Sequence, residues 1–240
     1  MNFYVRQTDA LGDFLNCMPI LSGLNKKFGK YNLIVKNQTK KFKGFREFLL
    51  YQDLFENVYF DDEFKGETIP LDNWGEDRIY RLDENRPRET CKYENFLRDV
   101  YKVDFHVDDD FLIKCPKMNI EVDPNTYYVG DRWDHPSTDK RRNFNLLSHL
   151  DNYKFIDYNV DLLTNCYIVS QLQKPLITTF TGIGIMSDLM NKETIIVWDD
   201  DMLNFTMKVW NKPVQYDFEN HYYMNRKSKL IHINDLKNIL

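Results

Sequence analysis

Three short stretches of the sequence carry side chains whose chemistry goes beyond packing. In Leu11-Gly12-Asp13-Phe14-Leu15, the glycine permits a tight turn or a close backbone approach, and the amides that follow open a helix. A carboxylate at Asp13, standing in a crevice, can take the proton of an attacking hydroxyl, which is general-base work. Its plainer reading is an N-terminal cap, where Asp is favoured. In Asp139-Lys140-Arg141-Arg142, three cations stand just before a helix. That combination suits a phosphate or diphosphate, because charge-assisted hydrogen bonds add to the helix field; the plainer reading is a solvated charge run. In Thr178-Thr179-Phe180-Thr181-Gly182-Ile183-Gly184, a turn rich in hydroxyls and glycine offers the Thr181 hydroxyl and the amides near Gly182 to phosphate oxygens. Its alternative is a tight turn with no ligand. No Gly-Lys-Ser/Thr follows it, and it lacks a full Gly-x-Gly-x-x-Gly.

Other chemistries gain no support. His106, His135, His149, His221 and His232 have no mutual spacing that suggests ligation, and only His135 falls in a crevice-type loop. Cys17, Cys91, Cys115 and Cys166 form no Cys-x-x-Cys pair, which argues against a zinc site and for reduced thiols in a cytosolic protein. Asp108-Asp109-Asp110 reads as a solvated turn rather than a metal site. A Gly-x-Ser-x-Gly elbow is absent, and no acidic residue follows the first loop where a dinucleotide's ribose needs one.

The elements that position these stretches form two series. Asn2 to Arg6 alternates as a strand, Gln7 to Asp13 reads as a polar loop, and Phe14, Leu15, Met18, Leu21, Leu24 and Phe28 recur at helical intervals up to Gly29. Tyr31 to Val35 resumes as a strand, completing a right-handed βαβ unit with a parallel sheet. A helix over 42–51, strands over 57–60 and 78–82, a loop over 61–75 and a helix over 93–100 follow. Pro116 to Pro124 reads as a connection. The second series has strands over 126–129, 154–158, 175–179, 193–198, 214–218 and 229–233, helices over 144–150, 162–172 and 182–190, and a terminal helix capped by Asn234. The fold class is α/β, with two successive halves, 1–123 and 124–240, and ligands expected beyond the carboxyl ends of the strands.

Composition bounds the reading. The chain has 240 residues, 42% hydrophobic and 29% charged, enough to bury a core. Thirty-two basic against thirty-seven acidic side chains leave −5, so bulk charge does not grip nucleic acid, although a local basic groove survives it. No run approaches the length of a membrane span, and the N-terminus carries no secretion signal; a cytoplasmic protein is expected. Frequent Asn, Lys, Tyr, Phe and Ile with scarce Ala and Gly match an AT-rich genome, as in phages or low-GC bacteria.

Taken together these residues resemble a family. Gly12-Asp13-Phe14-Leu15 followed by Met18-Pro19-Ile20-Leu21 is similar to the opening of glycosyltransferase family 9, the heptosyltransferases. Lys140-Arg141 sits where that family has a Lys-Arg-Trp motif. Asp161-Leu162-Leu163 through Thr181-Gly182 resembles its segment ending in Asp-Thr-Gly, and 194–198 and 231–236 resemble the strand and the closing elements beyond it. The likeness implies a GT-B fold, with two Rossmann-like halves facing a central cleft. It also implies an acceptor half at 1–123, a donor half at 124–240 and no metal. Asp13 then matches the family's proposed base, Lys140 its diphosphate ligand, and Thr181 and Gly182 its donor-phosphate loop. Three positions depart: Phe180 replaces the family's Asp, Ile185 its His, and Arg142 its Trp.

The resulting expectation is a glycosyltransferase that moves a sugar from a nucleotide-diphosphate donor to an acceptor hydroxyl, with no cofactor beyond the nucleotide sugar itself. Asp13 is the base, and Lys140, Arg141, Thr181 and Gly182 bind the donor. The acceptor is a surface glycan or lipopolysaccharide, or a hydroxymethylated pyrimidine in phage DNA. For DNA, Lys26, Lys27, Lys30, Lys36, Lys40, Lys41 and Lys43 supply a candidate rim. The departures at Phe180 and Ile185 favour the alternative, a non-catalytic nucleotide- or sugar-binding protein of the same fold.

Overall fold

Buried and half-buried side chains alternate along Asn2–Val5 (β1), the period of a strand with one face on a core. The computed structural model describes residues 1–5, 10–71, 98, 102–104, 106–130, 150–210, 213–215 and 227–240, the side chains of 205, 206, 209 and 210 set aside. After β1 come helices Leu11–Asn16 (α1) and Met18–Phe28 (α2), strand Tyr31–Val35 (β2), a short 3-10 turn, helix Phe45–Tyr51 (α3), and strands Phe55–Phe60 (β3) and Ile69–Pro70 (β4). The later elements are strands Tyr127–Gly130 (β5) and Tyr153–Phe155 (β6), helix Leu162–Gln171 (α4), strand Leu176–Thr178 (β7) and helix Gly182–Leu189 (α5). Strand Thr194–Trp198 (β8), helix Asp200–Trp210 (α6), strand Ser228–His232 (β9) and a closing 3-10 turn, Ile233–Asn238, complete the chain.

The strands form two parallel sheets, in the order β3-β2-β1-β4 and β6-β5-β7-β8-β9. Parallel strands need crossover helices, which cover the sheet faces and bury them. In the second sheet Val129, Ile177, Ile195 and Val197 point to one apolar cluster that includes Leu150 and Leu236. Tyr128, Leu176 and Ile196 point to the other. That larger cluster is continuous from Phe3, Phe14 and Met18 to Ile183, Met186 and Leu189, so helices belonging to both sheets share one core.

Several expected boundaries move. The helix expected from Phe14 to Phe28 starts three residues earlier and breaks at Cys17. Pro19 is the cause, because it lacks an N–H and its ring clashes with the carbonyl four residues back. Gly12 and Asp13 therefore lie inside α1 rather than in a loop. The 42–51 helix narrows to α3. β4 forms inside the 61–75 stretch read as loop, where Ile69 pairs with Phe3. α6 was not anticipated; Asp199 accepts from the Met202 amide at 2.8 Å and starts it, with Asp200 and Asp201 in its first turn. Val214 and Gln215 are helical, not a strand, an ambiguity that a short apolar run leaves open. The final turn is 3-10, capped by the His232 ring, whose Nδ1 accepts from the Asn234 amide at 3.3 Å. The strand expected over 78–82 lies outside the described residues, as do the 144–150 helix apart from Leu150, which is not helical, and the 93–100 helix apart from Arg98, which is helical.

Asp108 departs from the solvated-turn reading. It is 7% exposed and accepts from Ser22 Oγ and Lys26 Nζ, each at 2.6 Å. It holds the segment after residue 106 against α2, where Gly23 leaves room for the His106 carbonyl. Among the described residues no group of His, Cys, Asp and Glu could hold a metal ion, and no helix is long and apolar enough to cross a membrane.

Candidate functional site

In open parallel sheets a crevice forms where the strand order reverses, outside the carboxyl ends of the strands. The first sheet reverses at β1 and the second between β5 and β7. The chain leaving β1 enters α1, and the chain leaving β7 enters α5 through Thr179-Phe180-Thr181. Two of the three stretches singled out in the sequence thus sit at the reversal points of their own sheets. The third, with Lys140 and Arg141, follows β5 but lies outside the described residues, as do His135, His149, His221 and Cys91.

The two reversal points meet. An added Cβ at Gly12 would stand 2.9 Å from Ile185 Cδ1 and 3.6 Å from both Gly182 Cα and N. One at Gly182 would stand 2.9 Å from Leu11 Cβ and Cγ and 3.0 Å from its Cδ2. Ordinary carbon contacts lie near ~3.5–4.0 Å, so Gly182 is needed for this approach, whereas at Gly12 only the tip of the Ile185 side chain would have to give. The first turns of α1 and α5 are therefore packed together, and the structure brings the residue preceding Asp13 against Gly182. Two helix N-termini converge, each carrying a partial positive charge and amides without intrahelical acceptors.

Thr181 caps α5 from an extended conformation, with φ −135° and ψ 160°. Its Oγ1 accepts from the Gly184 amide at 3.3 Å and lies 2.8 Å from Thr178 Oγ1. Thr181 is 8% exposed, and its hydroxyl caps the helix. The Ile185 amide bonds back to the Thr181 carbonyl at 3.2 Å. Gly182 and Ile183, the first two residues of the helix, are the amides without an intrahelical acceptor. Thr178 Oγ1 also donates to the Gly130 carbonyl, which ties the end of β7 to the end of β5.

Asp13 is half-buried and is the acidic residue in the first turn of α1. It is not the cap: Ala10 holds that position, in an extended conformation and without a side-chain hydrogen bond. The capping alternative for Asp13 is thereby removed, while an acidic side chain in a first turn remains favourable to the helix dipole.

One residue escaped the sequence reading. Asn16, four residues after Gly12 on α1, is fully buried, and neither its Oδ1 nor its Nδ2 has a hydrogen-bond partner. A polar residue breaking the run Phe14-Leu15-Asn16-Cys17-Met18 was the available signal. Phe180 and Ile185 are 8% and 3% exposed, so the positions that depart from the family pattern contribute apolar wall.

The lysine rim divides. Lys26, Lys27 and Lys30 end α2 and precede β2, whereas Lys36, Lys40, Lys41 and Lys43 follow it, so the two groups lie at opposite ends of the strands. Lys26, Lys30 and Lys40 are paired with Asp108, Asp53 and Asp62. At the carboxyl end of the first sheet a cavity of about 310 Å³ is lined by Lys40, Phe42, Phe45, Arg46, Phe60 and Glu63. Lys40 and Arg46 stand over the Phe60 ring, 4.8 and 4.4 Å from its centroid. Arg46 bonds Glu63 at 2.5 Å, and this contact, with the Phe60 amide, holds the Glu63 carboxyl below the usual carboxylate range.

No protein-family model and no curated protein sequence matches the chain. Solved structures do. E. coli heptosyltransferase WaaC with ADP superposes with a TM-score of 0.59 at 11% identity, covering 100% of this chain and 98% of that one. A glycosyl transferase family 9 protein from Veillonella parvula gives 0.58 at 11% identity, over 99% and 87% of the two chains. The glycosyltransferase TibC from enterotoxigenic E. coli gives 0.54 at 9% identity, over 82% and 57%. The chain therefore has the fold of heptosyltransferase-like glycosyltransferases of family 9.

Proposed function

We propose that this protein is a glycosyltransferase that transfers a sugar from a nucleotide-diphosphate-sugar to an acceptor hydroxyl, with residues 1–123 forming the acceptor half and 124–240 the donor half across a cleft. The observation that carries the reading is the meeting of the two reversal-point helices at Gly12 and Gly182, in a fold like that of a heptosyltransferase that binds ADP. The Asp13 carboxylate takes the proton of the acceptor hydroxyl as its oxygen bonds to the anomeric carbon. The bond from that carbon to the diphosphate breaks, and the nucleoside diphosphate leaves with the electron pair. The Gly182 and Ile183 amides at the start of α5, with Lys140 and Arg141, meet the charge that develops on it, so that donors fixed in place do the stabilising. A metal ion is not required by this arrangement.

A glycan hydroxyl is the acceptor best supported. The polar groups lining the first sheet's cavity, Lys40, Arg46 and Glu63, suit sugar hydroxyls, whereas the divided and partly neutralised lysines give a DNA backbone no continuous track among the described residues. The binding-protein reading has one observation in its favour: Leu11 covers Gly182, and Phe180 and Ile185 present apolar surface there. A thermal-shift screen with UDP-, ADP-, GDP- and CMP-linked sugars, followed by assay of released nucleotide, separates the two. The transferase shows a melting-point rise with one donor, because a ligand preferring the native state stabilises it, and releases that donor's nucleotide. A rise without release supports the binding protein. No rise with any donor contradicts both.

A further inference from the structure

The segment that leaves the first sheet's elements for the second, 111–123, has no regular structure, yet it is held at both ends of a short stretch. On one side Gln52, fully buried at the end of α3, accepts from the Lys114 amide at 2.8 Å and donates to the Lys114 carbonyl at 3.3 Å. The Tyr51 hydroxyl donates to the Cys115 carbonyl at 3.3 Å. On the other side the Ile113 amide donates to the carbonyl of Leu189 on α5 at 3.1 Å. Cys166, fully buried on α4, places its Sγ 3.4 Å from Cys115 Sγ. Two thiols from elements far apart in sequence thus touch at the joint between the two sheets.

The two thiols are unequal. Cys115 is half-buried, and a hydrogen bond from Cys166, opposed by burial and helped by Ser170 and the Lys192 charge, holds it below the usual thiol range. Donating that bond, burial and the repulsion of Cys115 push Cys166 up. A partly buried, thiolate-prone sulfur beside a fully buried partner is the arrangement in which one cysteine is oxidised and the other resolves it.

We propose that Cys115 and Cys166 form a peroxide-responsive pair whose disulfide clasps the crossing segment to α4. The Cys115 thiolate attacks one peroxide oxygen: the S–O bond forms, the O–O bond breaks, and the departing oxygen leaves as water after taking up a proton. The Cys166 sulfur then attacks the Cys115 sulfenic sulfur. The S–S bond forms, the S–O bond breaks, and the released hydroxide takes the Cys166 proton. In sum two thiols and hydrogen peroxide give a disulfide and two waters. The two sulfurs approach by roughly a further 1.4 Å to reach disulfide distance. Because Gln52 hydrogen-bonds this segment to α3, the clasp also couples α3 to α4 through the covalently held segment. The inference stands whether or not the protein is a transferase.

The test is non-reducing peptide mass spectrometry and thermal unfolding of the full chain before and after hydrogen peroxide. The expected result is a Cys115–Cys166 linked peptide together with a melting-temperature rise of about 5–15 °C, the scale for closing a loop of this length in the unfolded chain. Both are reversed by dithiothreitol, and both are lost in Cys115→Ser, a near-isosteric change at a partly buried position. Recovery of Cys115 as sulfinic acid, a linkage to Cys17 or Cys91 instead, or a linked peptide with no melting shift each overturns the proposal.

Discussion

Gly182→Ala tests whether the first turn of α1 sits on the first turn of α5. The new methyl arrives 2.9 Å from Leu11 Cβ and Cγ and 3.0 Å from Cδ2, roughly 0.5–1 Å inside ordinary contact. Leu11 Cβ is tied to the α1 backbone, so rotating a side chain does not relieve all three contacts, and α1 and α5 must part. Overpacking of this kind costs about 1–3 kcal/mol. Against it stands a gain of about 0.4–1 kcal/mol from restricting the unfolded chain, since Gly182 does not use the left-handed backbone region. The strain wins, and the expected net loss is about 0.5–2 kcal/mol, a melting-temperature fall of roughly 1–8 °C for a chain of this size. Leu11→Ala removes Cγ and Cδ2, two of the three crowded atoms, at its own cost of about 2–5 kcal/mol for a buried leucine. In that background Gly182→Ala is predicted to cost less than in the wild type, because only the Leu11 Cβ contact at 2.9 Å remains. Urea unfolding of the four proteins, with unchanged m-values, measures the coupling. Effects that add to within about 0.3–0.5 kcal/mol refute the contact, and with it the juxtaposition of Gly12 and Gly182.

Asn16→Leu is predicted to raise stability by about 1–3 kcal/mol, because it replaces a buried amide without partners by an apolar side chain of similar branching; a lower melting temperature contradicts this. Asp161 caps α4, accepting from the Thr164 amide at 2.9 Å and its hydroxyl at 2.8 Å. Burial works to raise its carboxyl, but these bonds outweigh burial and hold it below the usual range. Asp161→Ala therefore costs about 0.5–2 kcal/mol at neutral pH. A carboxyl depressed by folding contributes stability that is present above its unfolded value, near ~3.9, and is lost as pH falls through the folded one. The wild-type advantage over Asp161→Ala must shrink below about pH 4; an advantage that instead grows toward acid pH contradicts the assignment.

The parallel architecture was legible because its signals are local. Alternation in 2–5, the apolar run 31–35 and the β-branched run 194–198 each specify a strand, and helices between strands specify crossovers. The break at Cys17 was also written in the chain, in Pro19, but the helical apolar period runs on through it and hides it. α6 was hidden because its starting residues, Asp199 to Asp201, look like a solvated turn until Met202 supplies the amide that Asp199 receives. At the site, Gly12 and Gly182 were each visible as permissive residues. That they serve each other is a long-range fact that no window of sequence contains. The Thr181 hydroxyl reads two ways in sequence because a cap and a phosphate loop use the same residue type at the same position. Asn16 stood in plain view within an apolar run, but its lack of partners depends on the packing of α1 against its neighbours.

Asp13→Asn keeps the shape of the side chain and removes its ability to take a proton. Once the screen has identified the donor, steady-state turnover and donor affinity of this variant form the most direct test of the catalytic account. Turnover is predicted to fall about a hundredfold or more, the scale of a lost general base, with donor affinity unchanged. Turnover retained within about threefold of the wild type would show that no step depends on this carboxylate as a base.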